Sequence, residues 1–260
     1  MRSGDSMIAT ERYTKIVELV NERGAVSTKE LAQMLSVTDK TIRLDCEDLE
    51  KQGLLTRVHG GIKSVKNNHI LSNKDEKRMS ERFGLHSDAK DCICKYAASL
   101  INDGDCVFLD GGTTVVAMLK YLKGKKIKIV THSNLILSEF NDVDAELFSI
   151  GGKYIPEYNM SVGPITLADL ERFNFDYAFL SCAGLDLVQK LVYTAEMDTM
   201  AVKQKAMTRS LKKFLLIDSS KLHVKGFCSF INSDDFDGIV CNQDPMIPLD
   251  SITDNFIIVE

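Results

Sequence analysis

No stretch of this chain is apolar for long enough to cross a membrane; every hydrophobic run falls well short of the roughly 20 residues that span a bilayer. The opening residues, MRSGDSMIATERY, contain no apolar core, so no secretory signal is expected there. Two phosphate-binding fingerprints are missing as well. No G-x-x-x-x-G-K followed by Ser or Thr occurs, and no G-x-G-x-x-G, which sets aside a Walker loop and a dinucleotide fold. No excess of positive charge exists either: the net charge is −5, which argues against a general nucleic-acid coat. The seven cysteines are odd in number and scattered, with no C-x-x-C pair, and Cys92-x-Cys94 has the wrong spacing for a zinc knuckle. They read as reduced, mostly buried thiols of a cytoplasmic protein, and their scatter argues against a redox or metal sensor. No repeat with a 20–50-residue period and no low-complexity segment is visible.

What is present is a substantial core and an uneven distribution of charge. Hydrophobic residues make up 44% of the 260, enough to exclude wholesale disorder. Residues 1–66 hold 11 Lys and Arg against 10 Asp and Glu, whereas the remainder holds 21 against 27. An acidic body with a near-neutral head suits a protein that touches a polyanion with one small part only.

The most informative stretch is 36–61, SVTDKTIRLDCEDLEKQGLLTRVHGG. From Asp39 to Gln52, Ile42, Cys46 and Leu49 fall on one helix face. Lys40, Thr41, Arg43 and Leu44 lie off that stripe near the helix start, where a recognition helix presents side chains to base edges in the major groove. Thr38 is the expected N-cap and Gly53 the expected C-terminal glycine. Leu54–His59 then alternates like a strand, Gly60-Gly61 turns, and Ile62–Val65 returns. Residues 54–66 hold Arg57, Lys63 and Lys66 and no acid, so this wing can follow a phosphate backbone. An ordinary surface helix and hairpin is the competing reading. His59 is open between a phosphate contact and a stabiliser of the hairpin.

Upstream, Tyr13, Ile16, Val17, Leu19 and Val20 form a helical stripe ended by Gly24, and Ser27-x-x-Glu30 is a capping box before a short helix carrying Leu31, Ala32 and Leu35. Three helices and a wing make residues 7–65 a winged helix-turn-helix. Residues 66–87 are polar and charged; they read as a linker whose Lys77, Arg78 and Arg82 are open to phosphate contact but are better read as a solvated charge run.

From residue 88 to 260, helices alternate with apolar strands, which argues a mostly parallel α/β domain. Helices are expected at 89–101, 115–122, 133–140, 164–172 and 195–210. Strands are expected at 106–109, 126–131, 145–150, 177–181, 213–217, 238–241 and 256–259. Open α/β sheets bind ligands beyond the carboxyl ends of their strands. Here those ends read Asp110-Gly111-Gly112-Thr113-Thr114, Thr131-His132-Ser133, Gly151-Gly152, Cys182-Ala183-Gly184 and Asp218-Ser219-Ser220-Lys221. Glycines let backbone approach a ligand, hydroxyls and N–H groups donate to anions, and Lys203 and Lys221 can supply countercharge. Each loop alone is also an ordinary βα turn; the recurrence points to an anion.

These residues together resemble the DeoR family of transcriptional regulators over almost the whole chain. The head carries Val26-Ser27, Glu30-Leu31-Ala32, Val37-Thr38, Thr41-Ile42-Arg43-x-Asp45, Leu49-Glu50, Gly53-Leu54 and Arg57-Val58-His59-Gly60-Gly61. The body carries Asp110-x-Gly112-Thr113-Thr114, Val130-Thr131-x-Ser133, Gly151-Gly152, Val162-Gly163, Thr194-x-Glu196 through Lys203, and Asp218-Ser219-Ser220-Lys221. The resemblance implies a sensor domain similar to ribose-5-phosphate isomerase and CoA-transferase folds. It also implies a repressor of sugar-uptake or catabolism genes that binds double-stranded operator DNA as a homo-oligomer, at least a dimer, and answers to a phosphorylated sugar. Two departures stand out. Leu44 replaces the family's second arginine after Thr-Ile, which implies that one base or phosphate contact is either lost or replaced by an apolar contact with a thymine methyl. His132 replaces the family's asparagine.

On this reading Thr38, Lys40, Thr41, Arg43, Leu44, Arg57, His59, Gly60 and Lys63 serve DNA. Asp110, Gly112, Thr113, Thr114, Thr131, Ser133, Gly152, Gly163, Gly184, Glu196, Lys203 and Lys221 serve the effector. Neither a cofactor nor a metal is expected, and no membrane partner. The alternative is a phosphosugar isomerase-like enzyme with Asp110 or Glu196 as base and Lys203 or Lys221 stabilising an enediolate. Against it, a winged head has no part in such catalysis.

Overall fold

The computed structural model describes residues 9–52, 54–58, 61–64, 82, 85–141, 144–222, 224–243 and 253–260, with the side chain of Glu22 excepted. They form two compact units that divide near residue 70.

The first unit opens with α1 (Ala9–Arg23), which buries Ile16 and Val20. Gly24, at φ +77°, ends it. Strand β1 (Ala25–Ser27) leads into α2 (Thr28–Met34), and Ser27 accepts the Glu30 amide at 3.2 Å. Only that half of the expected capping box forms, because the Glu30 carboxylate takes Arg23 instead, at 2.7 Å. Helix α3 (Asp39–Lys51) follows, and then β2 (Leu55–Val58) and β3 (Gly61–Ser64). β3 pairs antiparallel with both β2 and β1. Strand β1 was not expected; its three residues merge with the cap signal of α2. A side chain at Gly61 would run into the Val26 carbonyl at 2.7 Å, so glycine lets β3 lie against β1. Ile16, Val26, Leu31, Ile42, Cys46, Leu49, Leu55 and Ile62 are all buried in this unit. Gly53, His59, Gly60, Val65 and the expected linker up to residue 81 lie outside the described residues.

The second unit runs α4 (Ser87–Ser99), β4 (Cys106–Leu109), α5 (Thr113–Ala117), α6 (Leu119–Leu122), β5 (Lys128–Thr131), α7 (Asn134–Glu139) and β6 (Glu146–Ser149). It continues through β7 (Lys153–Ile155), β8 (Met160–Val162), α8 (Pro164–Leu170), β9 (Phe175–Leu180), β10 (Gly184–Asp186) and β11 (Leu191–Thr194). It ends with α9 (Met197–Thr208), β12 (Ser210–Ile217), β13 (Cys228–Asn232), β14 (Gly238–Asn242) and β15 (Phe256–Val259). The expected helix over 115–122 is two short helices that meet at Met118.

Seven strands form one parallel sheet in the order β15-β14-β12-β9-β4-β5-β6. Its inner strands read largely as apolar runs because both faces are covered, whereas the edge strand β6 is mostly exposed. Along β4, Val107 and Leu109 enter the core shared with α4, α5 and α7, whereas Phe108 enters the core shared with α8 and α9. Two antiparallel additions were not expected, the β7–β8 hairpin and the β10-β11-β13 sheet. The sheet order fixes where a ligand can enter. From β4 the chain builds outward through β5 and β6, then returns to β4's other side and builds through β9, β12, β14 and β15. The switch point therefore lies between β4 and β9, where flanking connections diverge and leave a crevice.

Candidate functional site: a reading helix and a strand-end cleft

In the first unit the expected cap forms: Thr38 Oγ1 accepts the Thr41 amide at 3.1 Å and lies 2.8 Å from Thr41 Oγ1. The apolar stripe of α3 turns inward, with Ile42, Cys46 and Leu49 buried. Thr38, Lys40, Arg43 and Leu44 are exposed and Thr41 is half-buried, so the helix start presents these five away from the core. Leu44 is 56% exposed, a large apolar side chain with no core role. Arg43 Nε donates to Asp39 at 2.8 Å, which orders the guanidinium along the helix. Asp45 is buried and receives a two-pronged bond from Arg12, at 2.5 and 3.0 Å, which ties α1 to α3.

In the wing, Arg57 is committed within the unit. Its amide and Nε both donate to Glu50, at 2.8 and 2.7 Å, and this pins β2 to α3. The hydrogen bonds from Arg57 hold the Glu50 carboxyl below the usual carboxylate range. Lys63 sits half-buried on β3 and makes no ion pair with another described residue.

In the second unit, four side chains converge at the switch point. Asp110 follows β4 and has no solvent-accessible surface. Its carboxylate accepts the Ser181 amide at 3.0 Å, the Ser181 hydroxyl, and the Lys203 ammonium from α9. His132 completes the set: Nε2 lies 3.3 Å from Asp110, Nδ1 lies 2.8 Å from the Ser161 carbonyl, and the ring stacks on Phe108. Burial alone would push the Asp110 carboxyl up; the Lys203 charge and the hydrogen bonds from His132 and Lys203 outweigh it and hold the carboxyl far below the usual range. Lys203 also donates to the Ser181 carbonyl at 3.0 Å.

Beside this knot lies a small cleft of about 30 Å³. Gly112, Ser181, Cys182, Thr199, Lys203 and Arg82 are among the residues that line it. A side chain at Gly112 would meet Ser181 Oγ at 2.1 Å, so only glycine lets the two strand ends approach. A larger cavity of about 350 Å³ lies elsewhere, over Val116, Leu122, Ile129 and Phe140, and no strand-end candidate lines it. Size alone favours that cavity; the switch point, the buried charges and the glycine approach favour the cleft.

The structure gathers some of the expected effector residues and leaves others apart. Gly112 and Lys203 line the cleft, Asp110 braces it from behind, and Thr113 and Thr114 open α5 directly after Gly112. Gly184 and Glu196 each follow a lining residue, and Glu196 caps α9 by accepting the Thr199 amide at 2.7 Å. Thr131 instead joins two strand ends: its hydroxyl donates to the Leu109 carbonyl at 2.7 Å and accepts the Ser133 amide at 3.1 Å. Ser133 caps α7. Gly152 adopts φ +150° and packs against Thr166 and the Val162 carbonyl, and Gly163 caps α8 at φ +92°. Lys221 ends a short 3-10 helix whose Asp218 carboxylate accepts the Ser220 amide at 3.1 Å.

Sequence reading did not single out Ser181 and Thr199, and it weighed Arg82 between a phosphate contact and a solvated charge run; all three line the cleft. Ser181 was one residue from a strand end already singled out, but its partner lies 71 positions away. Burial pushes the thiols of Cys46, Cys94 and Cys182 up to about 12. Among the described residues no cluster of His, Cys, Asp and Glu has a metal-holding arrangement, and no helix is long and apolar enough to cross a membrane.

Residues 12–68 match the family model of the DeoR-like helix-turn-helix domain, and residues 85–243 match that of the DeoR C-terminal sensor domain. A lactose phosphotransferase system repressor of Streptococcus mutans serotype c is 32% identical over 85% of this chain and 86% of its own length. One from Staphylococcus aureus is 32% identical over 90% of this chain and 92% of its own. Among solved structures, ribose 5-phosphate isomerase A of Methanocaldococcus jannaschii is 16% identical, covering 52% of this chain and 54% of its own, with a TM-score of 0.38. With both domain models matched in order and near-full-length relatives above 30% identity, the chain belongs to the DeoR family.

Proposed function

We propose that this protein represses genes of sugar uptake or breakdown in the cytoplasm, as a homo-oligomer on double-stranded operator DNA, and that a phosphorylated sugar controls it. The observation that carries the reading is the pairing, in one chain, of an exposed reading helix with a glycine-floored cleft at the switch point of a parallel sheet. The names of the relatives support the sugar pathway. In the head, Lys40, Thr41, Arg43 and Leu44 face bases, while Lys63 and the wing serve phosphates. In the body, Gly112, Thr113, Thr114 and Lys203 form the floor of the effector site, with Asp110 as brace. A regulator accounts for the head, which an isomerase would not use.

Two measurements test this. DNA fragments selected from a random pool by the full chain should converge on one sequence; a pool that stays random would overturn the operator reading. A thermal-shift panel of pentose and hexose phosphates should raise the melting temperature for at least one compound and not for its unphosphorylated form. Saturation at 100 times Kd corresponds to about 2.7 kcal/mol of stabilisation. Equal shifts from both forms would remove the phosphate from the reading.

A further inference from the structure

The seven-stranded sheet has two edges. At one, β15 is half-buried to buried along its length; at the other, β6 is exposed at three of its four residues, Glu146, Phe148 and Ser149. Proteins blunt such an edge with a proline, a bulge or a charge, or cover it with another element. β6 contains no proline, its register with β5 runs unbroken from Glu146 to Ser149, and no described strand pairs with its outer side. Its one charge, Glu146, stands at the start of the strand, beside Lys128 of β5.

The ladder fixes which backbone groups are left over. Glu146 donates its amide to the Ile127 carbonyl at 2.9 Å, and Ile150 donates to the Thr131 carbonyl at 2.8 Å. Backbone groups of successive strand residues point to opposite sides, so Glu146, Phe148 and Ile150 bond β5, while the N–H and C=O of Leu147 and Ser149 face outward. Among the side chains, Phe148 meets Phe173 with ring centroids 5.8 Å apart, and Phe173 stacks on Phe175 at 6.3 Å. A row of three rings thus runs from the core to the open edge, and its last member, Phe148, is 38% exposed.

We propose that β6 pairs with β6 of a second copy of this chain, antiparallel about a twofold axis, so that two seven-stranded sheets become one. The outward groups set the register. Bonds are exchanged between residues whose groups face outward, so Leu147 meets Ser149 of the copy and Ser149 meets its Leu147, each pair exchanging two bonds. The axis then passes at Phe148, which opposes its own copy as a non-hydrogen-bonded pair and makes the two aromatic rows continuous. Glu146 falls opposite Ile150 of the copy, so no like charges face each other. A twofold contact demands this self-complementarity, and an unrelated strand would match it only by chance. The proposal places a contact of the homo-oligomer in the second unit and rests on that part of the reading given above.

The test uses the full chain. By light scattering the wild type should have at least twice the 29.0 kDa mass of one chain. Ser149→Pro removes an outward N–H and no bond to β5, a position that proline tolerates on an edge strand. It should weaken self-association by about 10- to 100-fold, the loss of two symmetry-related hydrogen bonds, with its circular dichroism spectrum unchanged. Ser149→Ala keeps the N–H and should associate as the wild type does. Cross-linking under mild oxidation reads the register. Phe148→Cys should give a disulfide-linked dimer, because opposed non-hydrogen-bonded residues lie about 4.5 Å apart at Cα, inside the disulfide range. Glu146→Cys, about 13 Å from its own copy along the strands, should give none beyond the wild-type background. Wild-type association in Ser149→Pro, with no link through position 148, overturns the interface and leaves the homo-oligomer standing. A link through 146 and none through 148 overturns the register. A monomeric wild type removes the homo-oligomer and the proposal with it, while the reading helix and the phosphosugar site stay untouched. Should Ser149→Pro fail to fold, the two cysteine variants decide alone.

Discussion

Asp110 has no exposed surface and Lys203 has 4%, so each charge depends on the other. Removing one partner leaves an uncompensated buried charge, at a cost of about 3–5 kcal/mol, whereas replacing both by neutral groups of similar size costs far less. Asp110→Asn and Lys203→Met should therefore each lower the stability of the second unit in chemical denaturation, and the double variant should recover much of the loss. Additive losses would mean that the pair is not coupled. The sign with pH follows from the lowered Asp110 carboxyl. An acid held lower in the folded state than in the unfolded chain stabilises above its unfolded pKa of about 3.9, and that contribution is lost as pH falls. Asp110→Asn should flatten the fall in stability below about pH 4. An alanine at either position thus reports on stability before it reports on ligand binding.

Among the elements, α3 depends on its cap. Thr38→Ala should cost about 1 kcal/mol of head stability, while Thr38→Asn, which also caps, should cost little. If DNA affinity falls in the alanine variant and survives in the asparagine one, Thr38 acts by holding the helix start. The wing has a separate anchor in Glu50, which accepts the Arg57 amide. Glu50→Ala should speed hydrogen exchange at Arg57; unchanged protection would show that the β2–β3 ladder alone holds it. The cap, the α3 stripe and the long apolar strands were legible in the sequence because each signal is local: a hydroxyl before a helix, a 3.6-residue period, a run buried on both faces. β1, β7 and β10 were not, since three residues carry no period and sit among turn residues. The strand-end vocabulary identified the right end of the sheet. It did not identify the partners, because Ser181 and Lys203 lie 71 and 93 positions from Asp110 and meet it only through strand order. Thr131, Ser133 and Gly152 share that vocabulary but serve the scaffold: Thr131 bonds the Leu109 carbonyl of the neighbouring strand, Ser133 caps α7 and Gly152 packs against Thr166, since a glycine or hydroxyl after a strand serves the backbone as readily as a ligand.

For the whole molecule, charge confines where DNA can be held. Residues 1–66 carry 11 cations against 10 anions, and the remainder carries an excess of acid, so no diffuse positive field draws the protein to DNA. Within the head, Arg57 and Arg43 already have carboxylate partners in Glu50 and Asp39. On the proposed reading, affinity then comes from few phosphate contacts plus base contacts on α3. The logarithm of the binding constant should fall with the logarithm of salt concentration with a slope of about −0.9 per phosphate neutralised. Lys63→Ala should reduce that slope by about 1 and weaken binding evenly across sequences. Arg43→Ala should instead cost about 1–3 kcal/mol and blur one base preference. Both effects are read from anisotropy titrations on the selected fragment and on variants carrying single base changes. A slope unchanged by Lys63→Ala would take the wing lysine off the phosphate backbone, and a uniform loss for Arg43→Ala would move that arginine from the bases to the phosphates.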